Sequence, residues 1–405
     1  MEVPSDDTNS LGPAEEVASE GARQIGAPND LPLPLPPALH AVLPEPCADV
    51  ALKPGRRGPE RQWRTYAALD LGTNNCRLLI ARPSRRGFQV VDAFSRIIRL
   101  GEGVSTTGRL CDAAMDRTWD ALKVCAAKMR RHNVARARLV ATEACRAAKN
   151  GPEFIERVRR ELGLHIEILS REAEAKLAVS GCATLLDDNS DLALVFDIGG
   201  GSSELVWLDL TRRRGGWRRS VEHRLEAMNC IAAWTSLPVG VVTLAERFGG
   251  RQLTTAGFEA MVTTVTELLQ PFEEKHCFRA RVQDGRAHLL GTSGTVTTVA
   301  GIRLGLPRYD RNRVDGCWLD ATEARAVTYD LLARSHEQRV AEPCIGKDRA
   351  ELVLAGCAIL EGLLRMWPAQ RLRVADRGLR EGMLASMMAE DRHHAGAHQH
   401  GPRPI

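Results

Sequence analysis

Three short strings in this chain combine glycines, hydroxyls and carboxylates in a way that suits phosphate chemistry. The first is Asp70-Leu-Gly-Thr-Asn-Asn-Cys-Arg77, where an apolar run ends in an acid and Gly72, Thr73, Asn74 and Asn75 turn the chain. Such a turn offers backbone N–H groups and hydroxyls to phosphate oxygens, and Asp70 suits a hydrated divalent cation. The same residues also make an ordinary hairpin turn. The second string sets Gly199, Gly200, Gly201, Ser202 and Ser203 between two acids, Asp197 and Glu204. Consecutive glycines weaken a strand by roughly 0.5–1 kcal/mol each relative to alanine, a cost that close backbone approach to a ligand offsets. In the third, Gly291, Ser293, Gly294 and Thr295 follow a short apolar strand and open a helix, a combination that makes an anion site or a plain capped helix.

Two further strings lie between the first two loops. In Ala141-Thr-Glu-Ala-Cys-Arg146, Arg146 falls at a strand-to-helix turn, where its planar fork suits a phosphate. In Ser170-Arg-Glu-Ala-Glu-Ala-Lys-Leu177, Glu172 and Glu174 are two residues apart, so on a helix they point different ways and do not form a carboxylate pair. Acids there are also ordinary compensation for the helix dipole.

The elements that hold these strings alternate in type. Tyr66–Ile80 and Asp191–Trp207 each read as strand, turn, strand, and position 70 maps onto 197 as 77 maps onto 204, a constant offset of 127. Two similar hairpins opening two halves imply a duplication with a cleft between. Helical spacing begins at Asp112, read as an N-cap, and recurs over Pro152–Leu162, Glu172–Leu185, Phe258–Glu274, Thr322–Ser335, Arg349–Trp367 and Leu379–Glu390. Short strands are expected over Arg138–Thr142, His165–Leu169 and His288–Leu290, so the class is α/β. A net charge of +4 over 405 residues provides no field for nucleic acid, and the Arg212–Arg219 cluster reads as a solvated hairpin tip. Eleven cysteines without a C-x-x-C pair exclude a zinc knuckle or disulfide framework. The acidic start has no secretory character, and no apolar run would span a bilayer, so a cytoplasmic, non-membrane protein is expected.

Together these strings resemble the exopolyphosphatase/guanosine pentaphosphate phosphatase family. Ser236-Leu-Pro-Val-Gly240, Glu246 and Asp376-Arg-Gly-Leu-Arg-Glu-Gly382 complete the match from about Thr65 to Glu390. The resemblance implies duplicated actin-like ATPase (ribonuclease H-like) domains: 65–188, completed by helix 376–391, and 189–375. It implies that Glu174 positions or deprotonates the attacking water, that Asp197 and Glu204 serve catalysis and a Mg²⁺ ion with Asp70, and that the three loops, Arg77 and Arg146 hold phosphate. Departures are Asn75 for Ser, Ser203 for Thr, and Ala173 where an acid often precedes Glu174. Longer members carry added C-terminal helical domains, so distributive cleavage of polyphosphate is expected here. A homodimer that joined two clefts into one basic channel would alter that expectation. The alternatives are a sugar- or acetate-kinase-like phosphotransferase of the same fold and a non-catalytic sensor of phosphorylated nucleotides.

Residues 1–64 are proline-rich and aperiodic, and 392–405 are rich in histidine, glycine and proline, so both are expected to be disordered tails. Deleting residues 1–60 should therefore leave the melting temperature and catalysis nearly intact. A large drop in Tm by scanning calorimetry would show that the segment joins a core.

Overall fold

The computed structural model describes residues 64–84, 87–212 and 227–397. The proline-rich segment, the Arg-rich tip beyond Arg212 and the end of the histidine-rich tail lie outside them. Two mixed sheets with helices on both faces make an α/β molecule. The first has the order β3-β2-β1-β4-β5, formed by Tyr66–Leu71 (β1), Asn75–Ser84 (β2), Gly87–Ile97 (β3), Arg136–Ala141 (β4) and Ile166–Ile168 (β5). The second has the order β10-β11-β9-β6-β7-β8, formed by Leu192–Ile198 (β6), Ser203–Asp209 (β7), Ile231–Leu237 (β8), Ala287–Thr292 (β9), Trp318–Asp320 (β10) and Arg371–Ala375 (β11).

The duplication is visible in the register. In the first sheet β1 pairs antiparallel with β2 and parallel with β4, and in the second β6 pairs antiparallel with β7 and parallel with β9. Asp70 sits opposite Arg77, and Asp197 opposite Glu204. Both hairpin turns close on the same bond: Gly72 N–H donates to the Asn75 carbonyl and Gly199 N–H to the Ser202 carbonyl, each at 2.9 Å. β1 and β6 are central strands covered on both faces, hence their continuous apolar runs rather than alternation.

The helices used below are α1 (Asp112–Arg131), α2 (Glu143–Ala147), α3 (Gly151–Leu162), α4 (Arg171–Cys182), α5 (Val241–Phe248), α6 (Thr255–His276), α7 (Gly294–Arg303), α8 (Val353–Met366) and α9 (Leu379–Ala397). Asp112 is the first helical residue rather than the cap; Cys111 holds the cap position without a side-chain bond, and Asp112 acts on the dipole. α3 carries Pro152 in its first turn, where no N–H is missed, and stops at Gly163 in the left-handed region. α9 runs to Ala397, beyond the expected end at 391, because no proline interrupts it. Strands β3, β8, β10 and β11, absent from the sequence reading, are an edge strand with mostly exposed positions, the outer partner of β7, a short antiparallel addition and the strand between it and β9. Among the described residues no helix is long and apolar enough to cross a membrane.

α4 is the element on which the site depends. Leu177 joins the cluster of Tyr66, Leu79, Leu379 and Met383 on the first sheet, while Ala175, Val179 and Cys182 pack against Val195 and Val206 of the second. α9 approaches it at backbone distance. A Cβ on Gly181 would lie 1.9 Å from the Gly378 carbonyl oxygen, and one on Gly382 would lie 2.1 Å from that of Leu177. α4 starts with Ser170 as N-cap, whose hydroxyl accepts from Ala173 N–H.

His288, on β9, is fully buried, with neither ring nitrogen hydrogen-bonded among the described residues. Burial pushes its pKa from 6.5 down to about 4. The unfolded chain binds this proton below pH 6.5, whereas the folded chain resists it down to about 4. Stability is thus full above pH 6.5, falls as pH drops through that window, and this contribution levels off below about 4. The loss is about 3 kcal/mol. His288→Leu should flatten that part of the pH dependence in urea titrations at pH 7 and pH 4.5. An unchanged difference between the two pH values would exclude His288 as its source.

Candidate active site

The turns of β1–β2 and β6–β7 meet the start of α7 and the first turn of α4 around one cavity of about 150 Å³. Its walls include Asp70, Gly72, Thr73, Asn74, Asn75, Arg77, Glu174, Asp197, Gly199, Gly200, Ser293, Gly294 and Thr295. The two hairpin turns touch: a Cβ on Gly200 would come within 2.8 Å of Thr73 Cβ, so only glycine permits the approach. Ser293 caps α7 with φ 153° and ψ 172°, a region nearly reserved for glycine. Strain of this kind, roughly 1–3 kcal/mol, persists where the surroundings enforce it, and here it aims the helix N-terminus at the cavity.

Five expected phosphate ligands lie elsewhere. Gly291 is a packing glycine within β9, where a Cβ would strike the Phe196 ring at 2.5 Å. Gly201 faces the far side of the turn, beside Glu143. Ser202 donates to Glu204 and Ser203 to the Val239 carbonyl. Arg146, expected to clamp phosphate, is instead occupied by protein: its guanidinium donates to Glu143 (2.6 and 2.9 Å), the Leu169 carbonyl (2.5 Å) and Glu174 Oε2 (3.2 Å). Glu204, expected at a metal, is 2% exposed and lies outside the cavity wall, accepting from the Ser202 and Ser236 hydroxyls at 2.7 and 3.0 Å.

Glu172 is exposed and pairs with Lys176, while Glu174 turns into the cavity. Arg146 engages Glu174 through Oε2 alone, so Oε1 takes no hydrogen bond among the described residues. Burial, then the charge of Glu204, raises the Glu174 pKa well above the ordinary carboxylate range against the pull of Arg146. Burial also raises Asp70 and Glu204, and it pushes Asp197 up to about 8 with help from Glu204 and Asp70. Arg77 and Arg380 oppose the shift at both aspartates.

Neither Asp70 nor Asp197 has a hydrogen-bonded or ion-paired side chain among the described residues, and both face the same cavity. Two unpartnered, half-buried carboxylates suit a hard cation that takes its remaining oxygens from water and substrate. Among the described residues no group of three or more His, Cys, Asp or Glu side chains could hold a metal by itself.

The cavity opens into a second chamber of about 470 Å³ that shares Asp70, Arg77, Asp197, Ser293, Gly294 and Arg349 and adds Lys347, Arg377 and Arg380. Arg349 and Arg380 escaped the sequence reading, although Arg380 stands inside the Asp376–Gly382 string. On the other side, Glu246 of α5 latches the two halves, accepting from Gly103 N–H at 2.9 Å and from the Ser105 hydroxyl at 2.5 Å.

Known proteins share this arrangement. The chain is 28% identical over 330 residues to a guanosine-5'-triphosphate,3'-diphosphate pyrophosphatase of Photobacterium profundum, covering 81% of this chain and 60% of that one. It therefore spans under two thirds of that relative. A Ppx/GppA family member from Aquifex aeolicus aligns with a TM-score of 0.64 at 29% identity, over 81% of this chain and 98% of the other. An exopolyphosphatase-like protein aligns with a TM-score of 0.70 at 29% identity over the same shares. The two duplicated sheets of this chain, aligned with these solved structures, are those of duplicated actin-like domains. With residues 79–391 matching the model for the Ppx/GppA phosphatase family, the chain belongs to that family.

Proposed function

We propose that the protein is a phosphohydrolase that releases terminal orthophosphate from inorganic polyphosphate, with guanosine pentaphosphate as a second substrate, by metal-assisted in-line attack of water. The supporting observation is the convergence of Glu174, two unpartnered aspartates and three glycine- and hydroxyl-containing loops on one cavity. The relatives named for pyrophosphatase and exopolyphosphatase-like activity point to the same bond type, a phosphoanhydride.

Little covalent work falls to a protein in phosphoryl transfer, so positioning and charge carry the catalysis. Backbone N–H groups of Thr73, Asn74 and Gly200 and of the α7 start hold the terminal phosphoryl oxygens, those of Gly72 and Gly199 being engaged in closing the turns. Arg77 adds a charged fork. Water attacks phosphorus opposite the bridging oxygen, that P–O bond breaks towards the rest of the substrate, and the water proton passes to Glu174 Oε1. Arg146 and Glu143 keep that carboxylate in place. A raised pKa matches a base that works near neutrality. A Mg²⁺ ion held through Asp70 and Asp197 would neutralise charge on the phosphoryl oxygens.

Glu174→Gln should fold normally and lose roughly 10²–10⁴-fold in turnover, as expected when a positioned base is removed. Full phosphate release by the folded variant would rule Glu174 out as the base. Asp197→Asn should weaken rate and metal dependence together, since an amide is a poor ligand for a hard cation. An unchanged Mg²⁺ titration of phosphate release would remove Asp197 from the metal. A wild-type protein that binds polyphosphate without releasing phosphate would favour the sensor, and transfer to an added sugar would favour the kinase.

A further inference from the structure

The cations around the two chambers divide into two groups. Arg146 is bound to Glu143 and Glu174, Arg311 to Glu381, and Arg377 to Asp315. Arg77, Lys347, Arg349 and Arg380 have no ion-paired or hydrogen-bonded side chain among the described residues. Arg380 is the most anomalous of these. It is the second residue of α9, at the positive end of a 19-residue helix, where a cation opposes the dipole. It is half-buried along the wall of the second chamber, and burial lowers its pKa. Its neighbour Glu381 already answers the local backbone, accepting Gly378 N–H at 2.9 Å and Arg311 at 3.0 Å. A desolvated guanidinium without a partner is costly to the fold, and an anion arriving in the chamber supplies the missing partner.

We propose that Arg380 is a substrate ligand that binds the phosphate on the leaving side of the bond being cut. This rests on the phosphohydrolase reading above. In-line displacement puts water and leaving group on opposite sides of the phosphorus. Glu174 and the Gly72–Asn75 turn line the first chamber only, so the attacked phosphoryl group and its water belong there. The second chamber shares Asp70, Arg77, Asp197 and Arg349 with the first, lacks Glu174, and contains Arg380. The group that departs therefore lies there, between Arg380 and the shared Arg77 and Arg349. The substrate class this selects has at least one further phosphate beyond the one removed, whereas a monophosphate ester leaves Arg380 without a partner.

The test is calorimetric binding to the full-length protein in EDTA, where no turnover occurs. Tripolyphosphate and orthophosphate are titrated into the wild type, Arg380→Gln and Arg380→Lys. Arg380→Gln should bind tripolyphosphate about ten- to hundredfold more weakly. Arg380→Lys should fall between, since a point charge replaces the fork. Orthophosphate, which fits the first chamber, should bind all three proteins alike, and the ligand-free Tm of Arg380→Gln should be no lower than wild type. Equal tripolyphosphate affinity in the three proteins would overturn the proposal. So would parallel loss of both ligands with a lowered Tm, which would mark Arg380 as a structural counter-charge to Asp70 and Asp197. These titrations do not depend on catalysis, so a wild type that fails to release phosphate would sink the hydrolase reading and leave the binding result distinct.

Discussion

Four carboxylates withdrawn from water beside one another, Asp70, Glu174, Asp197 and Glu204, set the terms for everything around them. Burial raises each, and the charges of neighbouring acids add to it: Glu204, Asp70 and Asp197 act on Glu174, and Glu204 and Asp70 on Asp197. Such a cluster holds its charge only if cations and hydrogen-bond donors are brought to it. Arg146 serves Glu174, two serine hydroxyls serve Glu204, and the aspartates have Arg77 and Arg380 nearby without direct contact. That uneven compensation leaves Glu204 a structural acid, Glu174 held through one oxygen with the other free, and the two aspartates open to a ligand.

The duplicated hairpin explains how one chain brings these acids together. Each half contributes an aspartate at the end of its central strand, and the two turns lean on each other through Thr73 and Gly200. The third position of the pattern then differs, with Arg77 in one half where the other has Glu204. From one ancestral geometry the first half places a cation beside the cleft and the second a buried acid. α4 and α9 fasten the halves through glycine contacts too close for any side chain, so the distance of Glu174 from both turns is set by backbone packing.

Much of this was legible in the sequence because strand-ending acids, glycine runs and the 127-residue offset are local signals. The α/β class, the hairpins and the long helices follow from periodicity. Strand β3 was not legible, since it mixes polar residues with an exposed Val90–Val91 pair on a sheet edge and shows neither a long apolar run nor a clean alternation. Arg146 read as a phosphate clamp because its fork suits one, yet nothing local shows that Glu143 and Glu174 already fill it. Gly291 looked like the glycines of the two turns and turned out to accommodate the Phe196 ring. Arg349 and Arg380 were invisible for the opposite reason: what distinguishes them is the lack of a partner, and only the folded arrangement reveals it.

The Glu246 latch joins the two halves through a carboxylate, a backbone N–H and a hydroxyl, with no cation in the contact. Mobile ions screen attraction between full charges far more than a short hydrogen bond between a charge and neutral dipoles. The grip of unpaired arginines on a polyanion, by contrast, weakens steeply as salt is added. Closure of the cleft and affinity for what enters it therefore answer to different properties of the solution. If a polyanion is the substrate, as proposed, a rise in ionic strength would loosen the cargo more than the Glu246 latch.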